Sequence, residues 1–495
     1  MKLKKKNPKS KWRTALLKEL SDREVSMNTQ VILTLPMANQ TDRKKERISK
    51  EILLMVVHKS ESEEDMLRNL EKYLKVKEHK MEQTKENLRN CIDYIKTFLK
   101  WTVIAIIVGL ISGVVGSVFH ICIDFVTEKR IEHDFLIYLL PVGGLLIAGM
   151  YHLFTSEGKI DTNRVIESVR ENEKVPFVML PLIFISTVIT HGLGGSAGRE
   201  GAALQLGGSI GYNLGKLFKL SKENIHTIIM AGMSAVFSAL FGTPITAAIF
   251  SLEVINVGTF KYASLLPCLI SSVTAYLVSV RFGLSGVKYL GIAPESMDAI
   301  SFLKIAVLAV LCALVSILFC VAIRKCGKLM KKGIKNQYLR AFAGGCVIVA
   351  LTLLSGTRDY NGAGMDVIGR ALNGEANVEA FILKILFTAI TISAGFKGGE
   401  IVPAFFVGST FGCVVAPLLG LDPAFAAAIG FVTLFCSVVN CPLASIVLSI
   451  EVFGTEGLLF FAMACGISYM MSGRFGLYKS QKILYSKLND EYIEE

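Results

Sequence analysis

The stretch Gly194-Gly-Ser-Ala-Gly-Arg-Glu-Gly-Ala-Ala-Leu-Gln-Leu-Gly-Gly-Ser-Ile-Gly211 sets one arginine and one carboxylate among glycines in an otherwise apolar region. An ionisable side chain at bilayer depth is costly, roughly 2.5–3.5 kcal/mol for Asp, Lys or Arg at a helix centre on the insertion scale. Glu200 therefore reads as an ion or proton site. The surrounding glycines break regular helix and free backbone N–H groups, which is tolerated at that depth only where the backbone lines an enclosed or watery cavity.

Working outward, the chain has 495 residues, 52% hydrophobic and 19% charged, a balance that excludes a soluble protein of this size. It reads as an all-α polytopic membrane protein. The apolar character begins at Trp101, whereas residues 1–100 are dense in Lys, Arg and Glu. They read as a cytoplasmic N-terminal extension, partly disordered over 1–55 and helical over 60–95, where Leu67, Leu70, Leu74 and Val76 recur at helical spacing. No short apolar core with a small-residue cleavage site marks a signal peptide. The net charge of +12 lies mainly in this extension and in loops beside apolar segments, so the positive-inside rule accounts for it without a nucleic-acid partner. Arg324-Lys-Cys-Gly-Lys-Leu-Met-Lys-Lys-Gly-Ile-Lys335 is the most basic internal connection and reads as cytoplasmic too. The span beginning near Trp101 then leaves the cytoplasm, and the span from Phe302 to Ile323 returns to it. The expected location is the inner (plasma) membrane, multi-pass, with a cytoplasmic N-terminus. The 11 cysteines, Cys122, Cys268, Cys312, Cys346, Cys413 and Cys465 among them, lack metal-ligand spacing and read as small core residues; neither a metal nor a cofactor is expected.

The apolar segments are uneven. Long ones at 101–126, 135–154, 259–282 and 301–323 alternate with half-length pieces such as 201–217, 244–256 and 442–453. Pieces too short to span suggest broken helices that meet near the midplane. An internal repeat supports this. Gly232-Met-Ser-Ala-Val-Phe237 followed by Pro244-Ile-Thr-Ala-Ala-Ile-Phe-Ser-Leu-Glu253-Val recurs as Gly430-Phe-Val-Thr-Leu-Phe435 and Pro442-Leu-Ala-Ser-Ile-Val-Leu-Ser-Ile-Glu451-Val. Upstream, Ser196-Ala-Gly-Arg-Glu-Gly echoes Ser393-Ala-Gly-Phe-Lys-Gly-Gly-Glu400-Ile-Val-Pro403. Two membrane repeats, 101–282 and 301–480, with opposed orientations and a short tail at 481–495, make an inverted-topology fold with broken and re-entrant helices.

Broken helices aim their N-terminal ends, each carrying about half a positive charge, at the centre. Such a site prefers anions. A carboxylate at the same place would fill it when ionised and vacate it when protonated, which ties anion movement to proton movement.

At this point the residues resemble the CLC family of chloride channels and chloride/proton antiporters, over essentially all of 101–480. Gly198-Arg199-Glu200-Gly201 is similar to the family's gate motif, and the resemblance makes Glu200 the external gate and proton site. Gly398-Gly-Glu400-Ile401-Val402-Pro403 is similar to a second block, and Gly473-Arg-Phe-Gly-Leu-Tyr478 to the last helix, whose tyrosine hydroxyl closes over the central anion. Glu157-Gly-Lys-Ile-Asp-Thr162-Asn163 falls where the family places a serine hydroxyl on the anion, a role that Thr162 would inherit. The resemblance thus implies an anion site of Thr162, Gly198, Arg199, Gly201, Glu400, Ile401, Val402 and Tyr478. It also implies a homodimer in the lipid bilayer, exchanging chloride, or fluoride, against protons. Ala202 in place of the gate motif's proline, and Glu400 in place of an apolar residue, resemble the bacterial fluoride/proton branch. Val402 stands where that branch usually has threonine, so the choice of halide stays open. Val254 occupies the position of the internal proton-transfer glutamate of chloride antiporters. CBS domains are not expected after the last membrane helix.

Plainer readings compete. Glu253 and Glu451, near helix ends, are expected to satisfy freed backbone N–H groups before serving as a proton path. Arg199 is expected to pair with a carboxylate or carbonyl. Glu400 serves equally well as an ionic partner of Lys397 or as part of the anion path. A passive chloride channel is the first rival function, and a cation/proton antiporter a more distant one. An intramembrane enzyme lacks a nucleophile, a metal-ligand cluster or HExxH beside either glutamate.

Overall fold

The computed structural model describes residues 63–154, 161–171, 173–489 and 491–493. The chain divides into two units, Met1–Asp93 and Tyr94–Glu495. In the first, the described residues are helical, and Val76, Met81 and Leu88 are exposed. The side chains of Leu67, Leu70 and Leu74 and the expected irregular stretch 1–55 lie outside the described residues. The helix that opens the described chain, α1, spans Glu63–Glu132, so helix continues through residue 100, where the composition changes.

Among the described residues, sixteen α-helices fall into two runs of eight. The first run continues from α1 with α2 (Leu140–Phe154), α3 (Thr162–Glu171), α4 (Met179–Gly192), α5 (Glu200–Leu217), α6 (Lys222–Phe241), α7 (Pro244–Glu253) and α8 (Leu265–Arg281). The second contains α9 (Ala299–Gly333), α10 (Gln337–Ser355), α11 (Met365–Leu372), α12 (Ala380–Ala394), α13 (Ile401–Leu419), α14 (Pro423–Val439), α15 (Pro442–Phe453) and α16 (Leu458–Met471). Among the described residues, seven helices are long and apolar enough to cross a membrane, and six more are apolar but shorter. Leu110, Leu146, Leu277, Leu314 and Leu353 are exposed on the longer ones, as lipid-facing residues are. This is a polytopic membrane protein. The cysteines are free thiols, most of them wholly or partly buried; Cys346 and Cys91 are exposed.

Local signals set the helix ends. Asp298 caps α9 through the Ser301 amide at 2.8 Å, Asp422 caps α14 through the Phe425 amide at 2.8 Å, and α7, α14 and α15 each begin with proline. Asn440 leaves α14 in the left-handed region at φ 56°, and Gly242 leaves α6 at φ 68°.

The two runs pack alike. Gly207 and Gly211 of α5 lie against the backbone of Gly232 and Ile228 of α6, and Gly408 and Gly412 of α13 against Gly430 and Ala426 of α14. Small residues at these crossings let the helix axes approach closely, the main source of helix association where lipid offers no hydrophobic contrast. A Cβ on Gly430 would sit 2.9 Å from the Gly408 carbonyl carbon. Gly430→Val is therefore expected to cost about 1–3 kcal/mol or more through overpacking. Gly369→Ala, at a helical position with nothing within 4 Å, is the control and should be neutral to slightly stabilising. Thermal unfolding in detergent checks both.

The halves also touch reciprocally. Gly198 and Gly399 exchange both backbone hydrogen bonds, each 2.7 Å, in an antiparallel bridge. Glu253 of α7 caps α15, and Glu451 of α15 caps α7. Mutual i-to-j and j-to-i contacts are the mark of a two-fold relation, which in a chain with itself is the inverted repeat. After α16 the chain folds back: the Leu477 amide donates to Val438 O at 2.8 Å, and β2 (Lys482–Ile483) pairs in parallel with β1 (Asn256–Val257). The short tail is thus built into this unit.

Candidate functional site

Glu200 is the first residue of α5 and is fully buried. The loop that presents it is pinned on both sides. The Gly195 amide donates to Thr190 O at 2.8 Å, and the Ser196 amide donates to Thr391 Oγ1 of α12 at 3.1 Å. The Gly198–Gly399 bridge then draws the N-terminus of α13 to that of α5, so two helix starts share one spot. Two helix N-termini, each carrying a partial positive charge, give this spot a chemistry that favours a negative group. The Glu200 carboxylate lies in it. Its Oε1 accepts from the Arg199 amide at 3.1 Å; its Oε2 makes no hydrogen bond of standard geometry and stands near the Val402 amide of α13.

Glycine is required here for space. A Cβ on Gly399 would lie 2.6 Å from Glu200 Oε2 and 2.5 Å from the Gly201 amide nitrogen, and one on Gly198 would meet the same carboxylate. Gly399→Ala is expected to push the carboxylate out of its place and slow transport at least about tenfold, since a misplacement of about 1 Å in a preorganised site costs on that order or more. Initial rates per folded protein check this.

The other expected residues are arranged around this point. Ile401 and Val402, in the first turn of α13, are buried. Gly201 follows Glu200, and a Cβ there would lie 3.0 Å from Gly398 O. The Arg199 guanidinium turns away from the anion position: it pairs with Asp124 Oδ1 of α1 at 3.3 Å, donates to Leu240 O at 3.4 Å and lies 5.8 Å from the Phe241 ring. Asp124 also takes His120 Nε2 at 3.2 Å. Thr162 stands at the start of α3, beside the gate loop. Its hydroxyl donates to Gly201 O at 3.3 Å and accepts from Gln205 at 3.1 Å, so its one proton is committed to the backbone in this structure. Residues 155–160 of the same block lie outside the described residues. Glu400 takes the position before α13, and the Lys397 ammonium lies 4.1 Å from the Tyr151 ring centre. Tyr478 is buried, and its hydroxyl has no hydrogen-bond partner among the described residues. An unused donor in a buried place loses free energy unless something accepts from it.

Glu253 and Glu451 sit elsewhere. Glu253 accepts from the Leu443 and Ala444 amides at 3.1 and 2.9 Å, and Glu451 from the Ile245 and Thr246 amides at 3.0 and 2.8 Å. Both carboxylates hold freed N–H groups behind a leading proline. Further ionisable residues escaped the sequence reading, among them Asp124, which anchors Arg199, His120, which pairs with Asp124, and Lys384. Lys384 is fully buried in α12 and donates to Gly362 O at 2.8 Å and Tyr360 O at 3.2 Å. The signal was available, because each is ionisable within an apolar span.

The sequence matches the family described as voltage gated chloride channel over residues 143–473. It is 35% identical to a chloride/fluoride channel protein of Pseudomonas syringae pv. tomato over 80% of this chain and 89% of that one. It is 26% identical to an H+/Cl− exchange transporter of Vibrio vulnificus, over 70% and 81% of the two chains. The fold is similar to the crystal structure of a CLC-type fluoride/proton antiporter, with a TM-score of 0.75, 32% identity, and 78% of this chain and 98% of that one covered. Two joined helix starts around a buried glutamate, a reciprocal repeat of eight helices, and a match over two thirds of the sequence make this chain a member of the voltage gated chloride channel family.

Proposed function

We propose that the chain carries halide anions, chloride or fluoride, across the inner (plasma) membrane in exchange for protons, with Glu200 as both gate and proton carrier. The observation that supports this most is the position of the Glu200 carboxylate: it occupies the meeting point of two helix N-termini, where a mobile anion would otherwise lie. A halide and an ionised carboxylate compete for that place. Protonation removes the competition, so an anion occupies the site while Glu200 holds a proton, and when the carboxylate returns the proton and the anion leave toward opposite sides of the membrane. Tyr478 offers its hydroxyl to the anion, and the amides of Ile401 and Val402 complete the cradle. Gly198, Gly201 and Glu400 shape it, and Arg199 holds the gate loop to α1. Thr162 joins the anion path only if its proton leaves Gly201 O. The extension up to residue 100 and the basic end of α9 face the cytoplasm in this proposal, and two copies assemble as a dimer with one path each. The two fluoride-named relatives, both more than 30% identical, favour including fluoride among the substrates.

A passive anion path is the second reading, favoured by the name channel on the Pseudomonas relative. Liposomes carrying the purified chain and loaded with chloride or fluoride as the sole permeant anion, with potassium clamped by an ionophore, test the substrate class. Release of either halide above that from empty liposomes is expected; release of neither would overturn the proposal.

A further inference from the structure

Before residue 100, α1 carries a line of uncovered apolar side chains. Residues 81–100 are exposed throughout, and Met81, Leu88 and Ile95 among them are each more than half exposed. Their spacing is regular. Leu67, Leu74, Met81, Leu88 and Ile95 stand seven residues apart without a break, and written as the a positions of a heptad they put Leu70, Lys77, Thr84, Cys91 and Phe98 at d. The b and f positions opposite, from Arg68 and Lys72 through Glu82 and Glu86 to Asp93, are all charged or histidine. A straight helix drifts about 20° per heptad against such a repeat, so these a residues keep to one seam only where two helices wind around each other. The repeat also runs longer than the roughly three to four heptads that mark a coiled coil.

We infer that this stretch of α1 docks on the same stretch of a second copy of the chain, as a parallel two-stranded coiled coil in which each a and d residue faces its own counterpart. A second copy fits the seam better than a lipid surface does. A helix lying on a membrane needs a broad apolar face opposed by Lys and Arg, whereas this repeat is a narrow a/d seam, and Glu82, Glu86 and Asp93 are interspersed with Lys85 and Arg89 on the remaining surface. Orientation follows from the membrane part. Copies of one polytopic chain insert the same way round, and the apolar span of each begins at Trp101, so the two helices run in the same direction. Lys77 and Thr84 at d make the seam weaker than an all-apolar one. Confinement of both copies to one bilayer offsets this, because it raises the effective concentration at which each helix meets the other. The contact lies outside the halide path and does not depend on what the chain transports.

Cys91 makes the register measurable. A disulfide needs Cα atoms within about 7 Å, which counterparts at a and d positions meet, while counterparts on the outward positions stand further apart than the roughly 8–10 Å between the helix axes. Membranes containing the full chain are treated with copper phenanthroline, and interchain dimers are read on a non-reducing gel against Cys91→Ser as the baseline. The wild type is expected to cross-link, as is Cys91→Ser/Leu88→Cys, while Cys91→Ser/Arg89→Cys and Cys91→Ser/Asp93→Cys, at b and f, should do so at least about tenfold less. Met81→Glu/Leu88→Glu, which keeps Cys91 and changes only exposed residues, should lower Cys91 cross-linking at least about tenfold by setting like charges into the seam. Three results would overturn the coiled coil: no cross-link through either Cys91 or Leu88→Cys, equal cross-linking through the outward positions, or full cross-linking in Met81→Glu/Leu88→Glu. None of these readouts involves halide movement, so the transport proposal is tested separately.

Discussion

Replacing Glu200 by alanine is expected to leave halide flux intact and to lower coupled proton uptake at least about 100-fold, the lower edge for removing a positioned proton-transfer group. The reason is geometric. The carboxylate is fully buried at the start of α5, and one of its oxygens lacks a standard hydrogen bond. Removing it leaves the N–H groups of two helix ends, which still attract an anion, but takes away the carboxylate proposed to carry the proton. Glu200→Gln keeps the shape of the protonated gate and should behave in the same way. The sign with pH follows: acid protonates Glu200 and vacates the site, so wild-type halide flux rises as pH falls, while both variants stay flat over the same range. Parallel halide-electrode and internal pH-dye records in proteoliposomes from pH 4.5 to 7.5, an interval of about three decades in proton activity, measure this.

Removing either cross-repeat cap has the second large effect, on stability. Glu451 satisfies two N–H groups at the start of α7, and Glu253 does the same for α15, each behind a proline that has no N–H of its own. Hydrogen bonds to charged groups contribute about 1.5–3 kcal/mol each, and an orphaned buried donor costs about 1–3 kcal/mol. Glu253→Ala should therefore destabilise by about 3–5 kcal/mol and Glu451→Ala, whose donors are less buried, by about 1–3 kcal/mol, with the glutamine variants, which keep one accepting oxygen, losing roughly half as much. Thermal unfolding in detergent gives the size. Transport per folded molecule discriminates the roles: a cap leaves the ratio of protons to halide unchanged, whereas a proton-path residue would shift it. A changed ratio in Glu253→Gln at unchanged stability would contradict the capping account.

Much of this fold was legible because membrane depth makes each polar residue conspicuous. Glu200 stood out against glycines and apolar residues, and the Pro244 and Pro442 segments repeated closely enough to expose two halves. The capping of backbone N–H groups by Glu253 and Glu451 followed from their place near helix ends, but their partners did not. No local pattern says that a glutamate ending α7 reaches the first turn of α15, because that contact is made by the pseudo-two-fold and not by sequence spacing. The fate of the Thr162 hydroxyl was equally hidden. Its donation to Gly201 O depends on how α3 docks against the gate loop. Asp124, His120 and Lys384 were readable as charges in apolar spans and were passed over because no motif flagged them. The strap after Tyr478 was not legible at all: residues 479–489 are polar and weakly patterned, and they are held by contacts with Asn163, Val257 and Asn440, which are distant in sequence.

The most direct measurement of the central claim is thermodynamic. Liposomes containing the wild-type chain are given an outward gradient of the transported halide, no pH gradient, and a membrane potential clamped at zero. The account predicts that halide leaving drives protons inward until they are accumulated against their own gradient, and that Glu200→Ala abolishes the accumulation while halide still leaves. Halide efflux from the wild type with no proton accumulation would contradict exchange and leave a passive path.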